Sequence, residues 1–238
     1  MNKNLKFYYD YTISPLGQLF YESVWEQLPE IKNKKVLDFG SGFGFTSNKL
    51  SDNNTVIAVE PSEEVIKYAL NKEKYTQLNG SVDILKTFDS KSFDVIICHL
   101  VFEFVDEYDS ILKEFSRLLK DDGFISIVRH NKEGRIIQCL SLIYDIGEAT
   151  SLLDGDNSYS PTFGDIKYYT NDDVLSKLDN FILDKSYGVR TFASLQNSEV
   201  QSKETWLKDM LNVERKVYSN ASFKNIAYFN HLILKKDI

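Results

Sequence analysis

The segment from Lys35 to Glu60, KVLDFGSGFGFTSNKLSDNNTVIAVE, constrains this chain more than any other. A short apolar run, Val36 and Leu37, closes on Asp38, and three glycines follow at alternate positions, Gly40, Gly42 and Gly44. A stretch with helical character leads to a second apolar run, Val56 to Val59, closed by Glu60. The order is strand, glycine turn, helix, strand, acid, which is half of a nucleotide-binding α/β sheet. A near-continuous apolar run suits a parallel strand buried on both faces. At its carboxyl end the backbone must turn sharply and admit a ligand, which calls for residues without Cβ. Glu60, roughly 20 residues on, falls where a carboxylate accepts hydrogen bonds from ribose hydroxyls.

The glycine spacing separates two kinds of cofactor. A dinucleotide fingerprint needs G-x-G-x-x-G, with pyrophosphate on the helix N-terminus. Here position 45 is Phe and the third glycine is Gly44, which opposes an NAD-dependent oxidoreductase. The pattern D-x-G-x-G-x-G over Asp38 to Gly44 resembles motif I of the class I S-adenosylmethionine-dependent methyltransferases. That resemblance implies S-adenosyl-L-methionine as cofactor, with the glycine loop passing under its methionine and ribose parts. It points to Asp38, Gly40, Ser41, Gly42, Gly44, Glu60 and Pro61 as cofactor-binding residues.

The chain has 238 residues, enough for one sizeable core, and a single domain is the expectation. No apolar stretch reaches the length of a membrane span, and the N-terminus MNKNLKFYYDYT lacks an apolar signal core. The two cysteines, Cys98 and Cys139, are not spaced as a metal pair and fit a reducing compartment, so a cytoplasmic protein without a metal is expected. The net charge of −7 at first argues against a nucleic-acid partner, but its distribution weakens that argument. Nearly all of that excess lies between Asp145 and Asp173, which holds seven acids and one lysine.

Along the chain, an aromatic N-terminal stretch leads into a predicted helix over 16–28. Residues 1–30 then form either a cap over the cofactor or a helix packed on the sheet edge. A helix is predicted over 63–70, N-capped by Ser62, and a strand over 75–78. The turn after it, Asn79 to Asp83, usually lies beside the adenine in this fold, so Ser81 and Val82 are cofactor candidates, with an ordinary strand-end turn as the other reading. A strand over 93–98 delivers His99 to the carboxyl edge, where open α/β sheets bind ligands. His99 is there a contact to cofactor or substrate, or a structural histidine. An amphipathic helix over 110–119 precedes a strand over 124–128, which runs into Arg129, His130 and Asn131. A second apolar helix is predicted over 134–147. The span 145–173 reads as an acidic lid or insertion, turn-rich over 155–164, and Thr170 with Asp173 as a capping box for a further helix. A strand ends near Phe192, a long helix runs over 199–218, and the last strand covers 227–234. Alternating strands and helices imply a parallel, Rossmann-like sheet.

Further stretches resemble one subfamily, the tRNA 5-carboxymethoxyuridine methyltransferases. They are Gly17-Gln18-Leu19 with Trp25, Val36-Leu37-Asp38, His99-x-Val101-x-Glu103-x-Val105, Asn131, Gly188-Val189-Arg190-x-Phe192, and Glu214-Arg215-x-x-Tyr218. The methyltransferase resemblance implies seven strands with helices on both faces and a last strand inserted antiparallel. The subfamily implies a carboxylate on a modified tRNA wobble uridine as methyl acceptor. Two departures stand out. Phe20 occupies the place of an arginine that would hold the cofactor's carboxylate, and the acidic stretch replaces a basic loop.

The sulfonium of such a cofactor is already activated, so the protein mainly positions and desolvates. The catalytic candidates are His99 and Arg190. A carboxylate acceptor needs no base, and Arg190 would orient it through a bidentate pair; Arg190 in a plain ion pair is the competing reading. An alcohol or amine acceptor would draw a base from His99, His130 or Glu103. Tyr9, Tyr11, His130, Asn131, Tyr168, Tyr169 and Arg190 are the substrate-side candidates. The acceptor is tRNA or a small molecule, no membrane partner is implied, and a non-catalytic cofactor-binding protein is the alternative of a different class.

Overall fold

The computed structural model describes residues 1–106 and 108–237. In chain order its elements are α1 (Lys3–Ile13), α2 (Pro15–Gln27), β1 (Lys35–Phe39), α3 (Phe45–Ser51), β2 (Thr55–Glu60), α4 (Glu63–Ile66), β3 (Thr76–Asn79), α5 (Val82–Leu85), β4 (Phe93–His99), α6 (Tyr108–Leu118) and β5 (Leu119–His130). They continue with α7 (Lys132–Gln138), α8 (Ile146–Leu153), β6 (Ser158–Ser160), β7 (Gly164–Ile166), α9 (Asn171–Leu175), β8 (Phe181–Val189), α10 (Ser198–Gln201), α11 (Trp206–Val217), α12 (Ala221–Lys224) and β9 (Phe229–Lys236).

Seven strands form one sheet in the order β3-β2-β1-β4-β5-β9-β8, mostly parallel with the last strand antiparallel and helices around it. The pairs β1–β2, β1–β4, β2–β3 and β4–β5 are parallel, with Leu37 beside Ile57 on one side and Ile96 on the other. The order reverses at β1, whose neighbours come later in the chain on both sides. That switch point puts the carboxyl ends of β1 and β4 side by side, the place where open α/β sheets open a crevice.

The chain divides into two compact units. The first comprises residues 1–27, 129–168 and 186–231; the second comprises 28–128, 169–185 and 232–238. In the second unit the core is built from Leu37, Ile96, Ile125, Ile127 and the inner face of α6, Leu112, Phe115 and Leu118, all fully buried. In the first, α2 packs against α11, with Leu16, Leu19, Trp206 and Met210 buried together. Burial of such side chains stabilises each unit by about 1.5–3 kcal/mol per residue.

Several predicted boundaries move, each for a local reason. The N-terminal stretch is itself helical, because Asn2 caps α1 by accepting the Leu5 N–H at 2.9 Å. The helix predicted over 63–70 stops at Ile66. α6 ends at Leu118 and β5 starts at once, so Asp122-Gly123 lies inside a strand. The single helix predicted over 134–147 is three pieces: α7, a π turn over Cys139–Ile143, and α8. Tyr144, at φ 58°, breaks it and Asp145 caps the next helix through the Glu148 N–H. The turn-rich stretch 155–164 holds β6 and the start of β7, which pair as an antiparallel ladder. The helix predicted over 199–218 divides into α10, capped by Asn197, and α11. Thr170 and Asp173 do form a full capping box at α9.

Candidate active site

The glycine loop between β1 and α3 is held in a left-handed course, with φ of 77°, 54° and 73° at Gly40, Gly42 and Gly44. Side chains are excluded by space as well as by conformation. A Cβ on Gly40 would lie 2.3 Å from Cγ2 of Val101, and one on Gly44 would lie 2.0 Å from the Tyr75 hydroxyl. Glu60, at the end of β2, fastens this loop: Oε2 accepts the Gly42 N–H and Oε1 the Ser62 N–H, both at 3.0 Å. Burial raises the Glu60 pKa, opposed by those two N–H donors. A carboxylate offers about four acceptor positions, so two remain for a ligand's hydroxyls.

Asp38 points instead toward α3, where its Oδ2 accepts the Ser47 hydroxyl at 2.5 Å. Burial pushes its carboxyl up to about 6, with the Ser47 hydrogen bond working against that. Asp38 thus ties β1 to α3. Ser41 carries a buried hydroxyl that has no hydrogen-bond partner among the described residues.

A cleft of about 360 Å³ opens beside the loop, lined by Phe39, Gly40, Pro61, Ser81, Val82, Val101, Val105, Asp106 and Ile111. Its walls come from the carboxyl ends of β1, β2, β3 and β4. Mostly apolar walls with a few polar groups suit the flat heterocycle of a nucleoside. Gly40, Pro61, Ser81 and Val82 were read from the sequence. Phe39, Val101, Val105, Asp106 and Ile111 were not singled out for a ligand, although the strand-end rule reaches Phe39 and Val101 directly.

His99 closes β4, and its Nε2 lies 2.8 Å from the Ser126 hydroxyl on β5. Burial lowers its pKa to about 3, so the ring is neutral near pH 7 and a weak base. The next residue, Leu100, adopts φ 56°, a left-handed conformation that is costly for a branched side chain.

In the first unit, Arg190 is 2% exposed and also left-handed, at φ 61°. Its Nε donates to the Ser194 hydroxyl at 3.0 Å and its Nη1 to the Tyr11 hydroxyl. The guanidinium lies 5.0 Å from the ring centres of both Tyr228 and Phe229, and 5.7 Å from that of Tyr11. No carboxylate pairs with it among the described residues, so the ion-pair reading of Arg190 is not what the structure contains.

The remaining candidates scatter. Asn131 is 4% exposed and spends both amide hydrogens on the carbonyls of Asn225 and Ala227, at 2.9 and 2.8 Å. His130 packs edge-on to Phe229, ring centres 4.9 Å apart. Tyr9 is half-buried on α1. Tyr168 bonds the Ser158 hydroxyl at 2.8 Å, next to the bidentate pair of Arg135 with Glu148, at 2.8 and 2.5 Å. Tyr169 belongs to the second unit, where it stacks on Tyr108 at 5.6 Å within the core. Phe20, in the arginine's place, is buried edge-on to Phe229, ring centres 5.2 Å apart. Among the described residues no three His, Cys, Asp or Glu gather as a metal site would require.

Residues 37–127 match the family model described as a methyltransferase domain. Among curated proteins, the ubiquinone biosynthesis O-methyltransferase of Coxiella burnetii is 33% identical over 114 residues, 44% of this chain and 48% of that protein. The protein of the same name from Pelagibacter ubique is 35% identical over 108 residues, 43% of this chain and 44% of that protein. The chain thus spans about half the length of the curated relatives it matches. Among solved structures, an S-adenosylmethionine-dependent methyltransferase of Thermotoga maritima superposes with a TM-score of 0.65 at 18% identity, covering 98% of this chain and 96% of the other. The plantazolicin methyltransferase BamL, solved with S-adenosylhomocysteine, gives 0.58 at 17% identity, covering 98% and 90%.

The fold is the Rossmann-like fold of S-adenosylmethionine-dependent methyltransferases, and the segment that matches the methyltransferase domain, residues 37–127, includes the glycine loop. S-adenosyl-L-methionine is the cofactor of that class, and the residues present fit it. The crowded glycines, the free acceptor positions on Glu60, the unpartnered Ser41 hydroxyl and the apolar cleft together match a ligand with a ribose, a flat base and a polar tail.

Proposed function

We propose that this protein transfers a methyl group from S-adenosylmethionine to an oxygen of a small acceptor that carries a single negative charge. One observation carries the donor half: Glu60 fastened to Gly42 beside the apolar cleft. In this reading Gly40, Ser41, Gly42, Gly44, Glu60, Pro61, Ser81 and Val82 bind the cofactor. Asp38 braces the loop, and the neutral His99 contacts the ligand. The bound cofactor supplies an electrophilic methyl group, and the chain's own part is orientation and exclusion of water. The names of the curated relatives, O-methyltransferases of ubiquinone biosynthesis, support oxygen as the acceptor atom.

Arg190 supports the charge on the acceptor. A buried guanidinium ringed by Tyr11, Tyr228 and Phe229 gains attraction from the ring faces, but a carboxylate supplies far more. Residues 1–27 and most of the acidic segment 145–173 share its unit, and we assign acceptor recognition to them, with Tyr9, Tyr11, His130 and Tyr168 as contacts.

Arg190 also favours a narrower reading, in which the carboxylate belongs to a modified wobble uridine of tRNA. A tRNA acceptor implies binding that weakens steeply with salt, against the seven acids of the 145–173 segment. Radiolabelled methyl transfer into bulk tRNA and into carboxylated phenols separates the two. Label in the phenols alone supports the small-acceptor reading; label in tRNA alone replaces it. No transfer into any acceptor from a protein that binds the cofactor would favour a non-catalytic binding role.

A further inference from the structure

Glu214, on α11, is 2% exposed. Its carboxylate accepts three successive backbone N–H groups: Thr191 at 3.0 Å on Oε2, and Phe192 and Ala193 at 3.0 and 3.3 Å on Oε1. Thr191 and Ala193 are almost fully buried, so water cannot take over these donors. Each buried N–H left unmade costs about 1–3 kcal/mol. Without Glu214 this turn would therefore leave three orphan donors, and it would open.

The residue immediately before those donors is Arg190, in its left-handed conformation. Such a conformation costs roughly 1–2 kcal/mol for a residue with a side chain, and it persists only where the surroundings over-determine it. Ser194, which takes the Arg190 Nε–H, directly follows the three donors. The segment from Arg190 to Ser194 is thus one turn, with the carboxylate of Glu214 at its centre.

A second observation concerns charge. Two buried, opposite charges share this turn, yet no ion pair joins them among the described residues. Glu214 spends its charge on backbone, while among the described residues Arg190 bonds only neutral hydroxyls. A turn built for stability alone would pair the two, since an unpaired buried charge is costly. The arrangement instead leaves the guanidinium uncompensated among the described residues.

We propose that Glu214 is a positioning residue: by binding the N–H groups of Thr191, Phe192 and Ala193 it presents an uncompensated Arg190 to a singly charged carboxylate. This rests on the reading of Arg190 given above and adds the device that makes it work. Another guanidinium of this unit, Arg135, is already neutralised by Glu148.

The test uses the full chain, with benzoate as probe and benzamide as its neutral counterpart. The Arg190 Nε–H resonance, assigned by its loss in Arg190→Lys, is followed during titration. In the wild type benzoate should move it and benzamide should not. Glu214→Asp keeps the charge but withdraws it by one methylene, and Glu214→Gln removes it. Both should weaken benzoate binding, the Gln variant by about tenfold or more, while affinity for S-adenosylhomocysteine stays within about twofold. Unchanged benzoate binding in both variants would overturn the role of Glu214 and leave the reading of Arg190 standing. Equal losses of benzoate and S-adenosylhomocysteine affinity would reduce Glu214 to a folding residue and also overturn it. No response of the wild-type Arg190 resonance to benzoate would instead overturn the reading beneath it.

Discussion

Glu60 and Gly42 are joined across the glycine loop by a 3.0 Å hydrogen bond, from a backbone N–H to the carboxylate that ends β2. The same carboxylate takes the Ser62 N–H, so one acid fixes the loop after β1 and the turn after β2 together. A group that a ribose would engage is therefore also the group that shapes the loop beneath it. In the proposed reading, cofactor binding and loop geometry are coupled through this one side chain.

The crowding at Gly40 gives a first test. Gly40→Ala places a Cβ 2.3 Å from Val101 Cγ2 on a residue at φ 77°. The conformation alone costs about 1–2 kcal/mol, and the clash adds to it. Val101→Ala in the same chain should recover the clash but not the conformational part. Urea unfolding of the two single variants and the double variant measures the coupling; simple additivity would show that Val101 does not confine the loop.

Asp38 makes stability depend on pH in a definite direction. Its pKa is raised from 3.8 in the unfolded chain to about 6 when folded, chiefly by burial. A raised pKa favours the folded state below the unfolded value, and that contribution is lost as pH rises through the folded one. Asp38→Asn should therefore be more stable than wild type near pH 8, by on the order of 3 kcal/mol, and the difference should shrink to nothing below pH ~4. Chemical denaturation at the two pH values reads this out; a difference independent of pH would contradict it.

His99 behaves oppositely. Its pKa falls from 6.5 to about 3 through burial, so the unfolded chain takes up the proton first and stability declines as pH drops across that interval. The His99 ring resonances should stay at their neutral positions from pH 8 to about 4, and no limb of the rate profile between pH 5 and 8 should depend on His99. A His99 titration near 6.5 would contradict the buried, Ser126-bonded ring.

Much of this was legible in the sequence where the constraint is local. The β1 and β2 strands and the loop between them fall where Lys35 to Glu60 places them, because apolar runs and alternate glycines allow few other conformations. The Thr170 capping box is equally local, spanning three residues. Long-range partners were not legible. Asn131 reads as a ligand contact at a strand end, but its amide is spent on carbonyls more than ninety residues away. Tyr168 and Tyr169 read as a pair, yet adjacent residues of an extended chain point apart, and only Tyr169 enters the core around Tyr108. The left-handed Arg190 left no signal, and the carboxylate bound to the turn that follows it, Glu214, lies on a distant helix. Periodicity in the same way concealed the break at Tyr144, because the apolar pattern runs on through it.

In the proposed function the glycine loop and Glu60 hold S-adenosylmethionine. Calorimetric titration with S-adenosylhomocysteine tests it directly, comparing wild type with Glu60→Ala. The expected result is micromolar-range binding by the wild type and a loss of about tenfold to a hundredfold in the variant, the worth of one or two charge-assisted hydrogen bonds. No binding by the wild type, or equal binding by both proteins, would contradict the account.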